Sequence, residues 1–261
     1  MASPLEKAAE AETLNMNITI LRFDTIDSTN TEALNQARAG AKEGLCIVAL
    51  EQTAGRGRRG REWVSEKGAG IYFSIVLRPE IELRFLPLIT LMAGVAVHDT
   101  ISYAGLRPDI KWVNDILVNE KKIAGILAET TETPDGLAVI VGIGINIRSS
   151  NFPPELASTA TSIEESGGVT AFDVVERLTV HLTHFYEQLR TSDGPAAIID
   201  EWRRRSTYYA GKRVRITMGD ETVTGITDGL EPNGALRLRK NDGTTVTVQA
   251  GDVERLRARE D

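Results

Sequence analysis

Hydrophobic and polar positions recur along the chain with two different periods, which separates strands from helices. Ile18 to Phe23 alternates and predicts a short strand, and Asp27-Ser28-Thr29-Asn30 follows as a turn. Thr29 and Glu32 are spaced as a capping box. Ala33, Leu34 and Ala37 then recur at helical spacing until Gly40, so a helix with a polar cluster at its N-terminus is expected. Cys46 to Leu50 and Ile71 to Leu77 predict buried strands, and Gly55 to Arg61 between them lacks apolar periodicity and reads as loop. The uncharged run from Phe85 to Val97 predicts a buried helix ending near Gly105. At about thirteen residues, with Pro87 inside it, the run falls short of the roughly twenty that a membrane span needs. Ile110 to Val113 and Ile116 to Val118 read as strand, Asn119-Glu120-Lys121 as a turn, and Ile123 to Ala128 as the returning arm of a hairpin. Leu137 to Ile147 is a further strand, in which Gly142 and Gly144 leave the backbone bare to a close approach. Val174, Leu178, His181, Leu182, Phe185 and Leu189 share one face of a helix, and a shorter helix from Ala196 to Arg204 carries Trp202.

From Gly211 the texture changes to short strands, Arg213 to Thr217, Leu236 to Arg239 and Thr245 to Val248, punctuated by Gly-Asp, Asn-Gly and Asp-Gly turns. About fifty residues of this kind suit a small β-barrel. The expected organisation is an Ala/Glu-rich flexible tail over residues 1–15, a mixed domain over 16–210 and a second domain over 211–261.

Composition narrows the function. The 261 residues carry 30 basic and 37 acidic side chains, a net charge of -7, which argues against a general polyanion binder and requires any phosphate chemistry to use a local cluster of positive charge. One cysteine, Cys46, excludes an internal disulfide, and three scattered histidines argue against a His/Cys zinc site. The start of the chain lacks the basic and apolar regions of a signal peptide, so a cytoplasmic protein is expected.

The positive cluster lies in Glu51-Gln52-Thr53-Ala54-Gly55-Arg56-Gly57-Arg58-Arg59-Gly60-Arg61-Glu62-Trp63. Gly55, Gly57 and Gly60 spell G-x-G-x-x-G, but the segment runs into a strand without the helix that a dinucleotide fold requires, and Arg61-Glu62 stands where a P-loop needs Lys-Ser/Thr. Four arginines in six residues repel one another, and an anionic ligand offers the compensation, bound by guanidinium forks and by backbone N–H groups exposed at glycine. The expected loop is mobile when empty and ordered on its ligand. In Lys111-Trp112-Val113-Asn114-Asp115 a carboxylate and an amide beside a lysine suit magnesium and phosphate; they equally suit a turn in which Asp115 pairs with Lys111. Lys122 taken alone reads as a solvated charge.

Together and in order, Asp27-Ser28-Thr29-Asn30, Gln52 with Gly55-Arg56-Gly57-Arg58-Arg59-Gly60, Lys111-Trp112-Val113-Asn114-Asp115, Lys122-Ile123-Ala124-Gly125-Ile126-Leu127 and Gly142-Ile143-Gly144-Ile145-Asn146 resemble the biotin protein ligases. The resemblance runs from about Ile18 to Asn146, and the short-strand tail is similar to the family's C-terminal domain. It implies an α+β fold, a mixed β-sheet with flanking helices related to class II aminoacyl-tRNA synthetases, plus a small C-terminal SH3-like β-barrel. It implies formation of biotinyl-AMP from biotin and Mg-ATP, then transfer of biotin to a lysine of a biotin carboxyl carrier protein domain. Ser28, Thr29, Asn30, Gln52, Gly55, Arg56, Gly57, Arg58, Lys122 and Gly125 would bind biotin. Arg56, Arg58, Arg61, Trp63, Lys111, Asn114 and Asn146 would bind ATP, with Trp63 either on adenine or in the core.

Lys122, Arg58 and Arg61 would be catalytic, and Asp115 would hold Mg2+. Arg255 and Arg257 are further candidates in the tail domain. The family's second motif has proline at the position of Val113. The pattern starts near Ile18, so an enzyme without the helix-turn-helix of repressor members is expected, acting as a monomer or weak homodimer without nucleic acid or membrane. A lipoate ligase on the same scaffold is the nearest rival, since it also adenylates a carboxylate, but its linear apolar ligand has less use for Ser28-Thr29-Asn30. A nucleic-acid-binding module is the rival from another class, and the net charge opposes it.

Overall fold

The computed structural model describes residues 16–149, 156–166, 171–218, 220–249 and 251–255; the tail 1–15 and Arg257 lie outside the described residues. The chain begins with β1 (Thr19–Phe23), α1 (Thr29–Arg38), β2 (Leu45–Ala49) and β3 (Gly70–Leu77), then α2 (Leu88–Tyr103). A meander of β4 (Pro108–Lys111), β5 (Asp115–Val118), β6 (Lys121–Thr133) and β7 (Gly136–Asn146) follows. These strands form one sheet in the order β1-β2-β3-β7-β6-β5-β4, in which only β1 and β2 pair in parallel. The sheet is therefore mixed. After it come α3 (Ala171–Leu189), α4 (Gly194–Arg205) and the strands β8 (Ala210–Met218), β9 (Glu221–Leu230), β10 (Leu236–Arg239), β11 (Thr245–Val248) and β12 (Asp252–Arg255). The last five form a second, wholly antiparallel sheet in the order β11-β10-β9-β8-β12.

Strand alternation divides the large sheet between two cores. Ile47, Val76, Ala138 and Ile140 meet Ala33 and Ala37 of α1 on one face, while Cys46, Val48, Ile75, Leu77, Val139, Val141 and Ile143 join the larger core under α2 on the other. Burial of Cys46 pushes its thiol up to about 12, so it acts as a small apolar residue. The larger core continues into Val214, Ile216, Leu236 and Leu238 of the second sheet. Among the described residues no helix is long and apolar enough to cross a membrane.

Three local expectations need correction. The cap of α1 is Ser28, whose Oγ accepts from the Thr31 N–H at 3.4 Å, because the Thr29 hydroxyl is engaged by Gln52 and Ser74. The strand expected through Val113 stops at Lys111. Trp112 turns inward to donate its indole N–H to Gly234 O at 3.0 Å, the Trp112–Val113 peptide is cis, and β5 returns antiparallel from Asp115. Finally, β9 and β12 complete the second sheet, although neither stood out in the hydropathy pattern.

The helical layer is tied by Asp99 of α2, which accepts from Arg205 of α4 at 2.6 and 2.8 Å and lies 2.9 Å from the His98 ring. Burial opposes ionisation of this carboxyl, but the hydrogen bonds from His98 and Arg205 outweigh it and bring its pKa down to about 2. A carboxyl depressed from an unfolded value of about 4 contributes stability that is complete above pH ~4 and is lost as pH falls through about 2. Asp99→Asn is therefore expected to cost about 2 kcal/mol at pH 7, with the gap to the parent protein closing between about pH 4 and 2 in urea denaturation.

Candidate active site

The register of the large sheet sets one row of residues side by side on the α1 face: Tyr72 of β3, Gly144 of β7, Gly125 of β6, Asp115 of β5 and Lys111 of β4. A parallel row holds Ser74, Gly142 and Leu127. Ala138 and Ile140 of β7 pack under α1, and the next positions on that face, Gly142 and Gly144, extend past its N-terminus as bare backbone. The approach foreseen at these glycines is made by the protein itself. A Cβ at Gly142 would collide with the Asn30 amide, one at Gly144 with the Trp63 indole, and one at Gly125 with Trp63 Cζ3 at 2.9 Å.

Lys122 reaches this face through a bulge. The β5–β6 register shifts between Ile116 and Leu117, so Ile123 and Ala124 both point into the α2 core while Lys122 turns to the opposite face. There its Nζ lies 2.7 Å from Asp115 Oδ1 and 5.2 Å from the centre of the Trp63 ring, and Lys111 Nζ is 3.2 Å from Asp115 Oδ2. Burial would raise the Asp115 carboxyl, but the charges of Lys122 and Lys111 outweigh it and hold it below the usual range. Asp115 thus does not fit magnesium: each of its oxygens faces an ammonium, and two such charges repel a dication. Among the described residues no group of three or more His, Cys, Asp or Glu side chains could hold a metal ion.

Two clefts adjoin at Lys122, Trp63, Arg61 and Glu62. The first encloses about 670 Å³ including its mouth; Ser28, Thr29, Asn30, Gln52, Arg56, Gly57, Arg58, Asn114, Gly125 and Leu127 line it. A chain of hydrogen bonds closes one end. Gln52 Oε1 accepts from the Thr29 N–H at 2.8 Å, and its Nε2 donates to Ser65 at 2.9 Å. The buried Ser74 hydroxyl lies 2.8 Å from Thr29 Oγ1 and donates to Asn30 Oδ1 at 2.6 Å. Asn30 Nδ2 donates to Glu129 Oε2 at 2.7 Å and to Leu127 O at 3.3 Å. The second cleft, about 880 Å³ with its mouth, is lined by Val64, Tyr72, Asn146, Leu156, Thr159 and Ala160 besides the shared residues.

In the glycine-arginine loop the compensation expected from a ligand is provided in part by the protein. Arg56 pairs with Glu129 at 2.8 Å, Arg58 donates to Asn114 Oδ1 at 3.1 Å and to Gly251 O at 3.4 Å, and Arg59 donates to Thr217 O at 3.1 Å. One 3-10 turn spans Arg58–Gly60, and Gly55 packs so closely on Trp63 O and Ser65 Oγ that a Cβ would not fit.

Most candidate residues therefore meet at the two clefts, but Gly55 and Asp115 line neither of them. Lys111 lines neither cleft and stands behind Asp115. Asn114 faces the first cleft, but its amide is occupied, accepting from Arg58 and donating to Ile126 O at 2.9 Å. Arg255 lies on β12. The pattern reading missed Ser74, Ser65, Tyr72 and Glu129. A hydroxyl inside the apolar run Ile71 to Leu77 was a readable signal for Ser74; Glu129 lay one residue beyond the expected end of its strand.

Gly144→Ala sets a methyl against the Trp63 ring and is expected to destabilise the protein by about 1–3 kcal/mol. Urea denaturation compared with Gly136→Ala, where nothing lies within 4 Å but φ is +92°, separates the packing effect from that of the strained backbone.

The profile of the Biotin/lipoate A/B protein ligase family matches residues 22–146, and that of the Biotin protein ligase C terminal domain matches residues 209–256. The chain is 38% identical to the bifunctional ligase/repressor BirA of Bacillus spizizenii over 237 residues, covering 88% of this chain and 72% of that protein. It is 36% identical to the biotin--[acetyl-CoA-carboxylase] ligase of Paracoccus denitrificans, covering 87% and 96%. The biotin protein ligase of Aquifex aeolicus in complex with biotin and ATP superimposes with a TM-score of 0.78 at 26% identity, covering 92% of this chain and 99% of that one.

Proposed function

The chain belongs to the biotin protein ligase family, and from that membership and the paired clefts we propose that the first cleft takes biotin, the second takes ATP, and Lys122 joins their reacting ends. The observation that carries this reading is the position of Lys122, on the wall common to both clefts and held by Asp115.

Biotin protein ligases activate biotin with ATP and attach it to a protein lysine. In the first step a carboxylate oxygen of biotin attacks the α-phosphorus, the bond from that phosphorus to the β-phosphate bridging oxygen breaks, and pyrophosphate leaves. Two anions must approach, so the protein's task is to lower their repulsion and align them. Asp115 with Lys111 and Lys122 leaves a local excess of one positive charge, while on the shared wall the charge of Arg61 is balanced by that of Glu62. The hydroxyl and amide groups of Ser28, Thr29, Asn30 and Gln52 suit the neutral ureido ring, which both donates and accepts. Arg58, tied to Asn114 and to Gly251, keeps the glycine-arginine loop over the cleft, where it protects the mixed anhydride from water. In the second step the neutral amine of the acceptor lysine attacks the acyl carbon and AMP departs. The acceptor is the biotin carboxyl carrier domain of acetyl-CoA carboxylase. We read residues 16–210 as the ligase domain and the five-stranded sheet from 211 as an SH3-like barrel that backs the loop through Thr217 and Gly251.

Incubation with ATP and magnesium is expected to release pyrophosphate with biotin and not with lipoate; lipoate-dependent release alone would reverse the substrate assignment. Lys122→Met is expected to slow adenylate formation by roughly a hundredfold or more, measured in a single turnover. Arg58→Ala is expected to form the adenylate but let it escape, seen as free biotinyl-AMP hydrolysis without carrier.

A further inference from the structure

Glu129 lies outside every motif above, yet it joins the two halves of the first cleft. Its Oε2 accepts from Asn30 Nδ2 at 2.7 Å and from Arg56 Nη2 at 2.8 Å. Asn30 is buried, and its amide is constrained on both sides: both N–H hydrogens are donated, to Glu129 and to Leu127 O, while Oδ1 accepts from Ser74. The reversed amide would set Oδ1 against a carboxylate and a carbonyl, two acceptors, and would lose both bonds. The one hydrogen-bonding capacity left to Asn30 is the second lone pair of Oδ1. Arg56 is meanwhile held by the same carboxylate oxygen of Glu129 that anchors Asn30.

We propose that Glu129 is a positioning residue for substrate selection: it locks the Asn30 amide so that the cleft presents an acceptor, and it fastens Arg56 as a wall beside that acceptor. A ligand is then selected for an N–H donor on its ring, which a ureido group has and an N-alkylated or purely acceptor ring lacks. The assignment rests on the reading of this cleft as the biotin site.

The test is calorimetric titration of biotin and its two mono-N-methyl ureido analogues into the parent protein, Glu129→Ala and Glu129→Gln, with the KM for ATP and kcat measured alongside. The alanine variant frees the Asn30 amide to rotate. Its biotin affinity should fall about tenfold, and its preference for biotin over the discriminated N-methyl analogue should narrow by a similar factor. The KM for ATP should stay within about twofold. Glu129→Gln can still accept from Asn30 through Oε1, so it should recover the preference while losing the Arg56 ion pair. Equal biotin affinity and preference in the alanine variant would overturn the assignment alone, as would an equal rise in the KM for ATP. If the parent protein does not bind biotin, the reading of the cleft falls and the Glu129 assignment falls with it.

Discussion

The site depends on one register shift. Between Ile116 and Leu117 the pairing of β5 with β6 slips, and this re-aims Lys122 from the core face to the cleft face. Without the bulge, strict alternation would place Lys122 among the apolar residues under α2 and set Ile123 opposite Leu117 on the cleft face, where Lys122 now stands. A buried lysine there would face no carboxylate, and Asp115 would keep only Lys111. The bulge thus sets the charge balance of the junction and marks the point where the two clefts adjoin.

The bare glycine backbone of β6 and β7 is the second constraint, and it acts with the first. Gly125 and Gly144 are direct partners across the two strands, so their missing side chains open one continuous floor. Trp63 lies on that floor with the Lys122 ammonium over its ring, which ties the end of the glycine-arginine loop to the junction. Gly142 gives the same clearance to Asn30 at the N-terminus of α1. The apolar half of each strand continues as core, so floor and scaffold are one element, and the site is built on the buried central strands β3 and β7.

Much of this was legible in the chain. Alternation located β1, apolar runs rich in β-branched residues located β2, β3 and β7, the uncharged run located α2, and the turn residues marked the second sheet, because each reports a local preference of the backbone. The clustering of arginines with glycines located the loop, since like charges at that density need a reason. Pairing was not legible. Nothing in the run from Asp115 to Gly125 announces a bulge, so Lys122 taken alone read as a solvated charge and only the family resemblance gave it a role, while Asp115 read as a metal ligand or as a turn residue paired with Lys111. Glu129 escaped for the same reason: its importance lies in Asn30 and Arg56, 99 and 73 residues away in sequence.

In the proposed arrangement two ligands lie side by side with Lys122 between them. The most direct measurement is a crystal structure of this protein with biotin and an ATP analogue that cannot transfer its α-phosphoryl group. The biotin ring is expected against Asn30, with the carboxylate and α-phosphate both within hydrogen-bond distance of Lys122 Nζ and Asp115 still paired to that lysine. Ligands seated elsewhere, or Lys122 contacting neither anion, would contradict that arrangement.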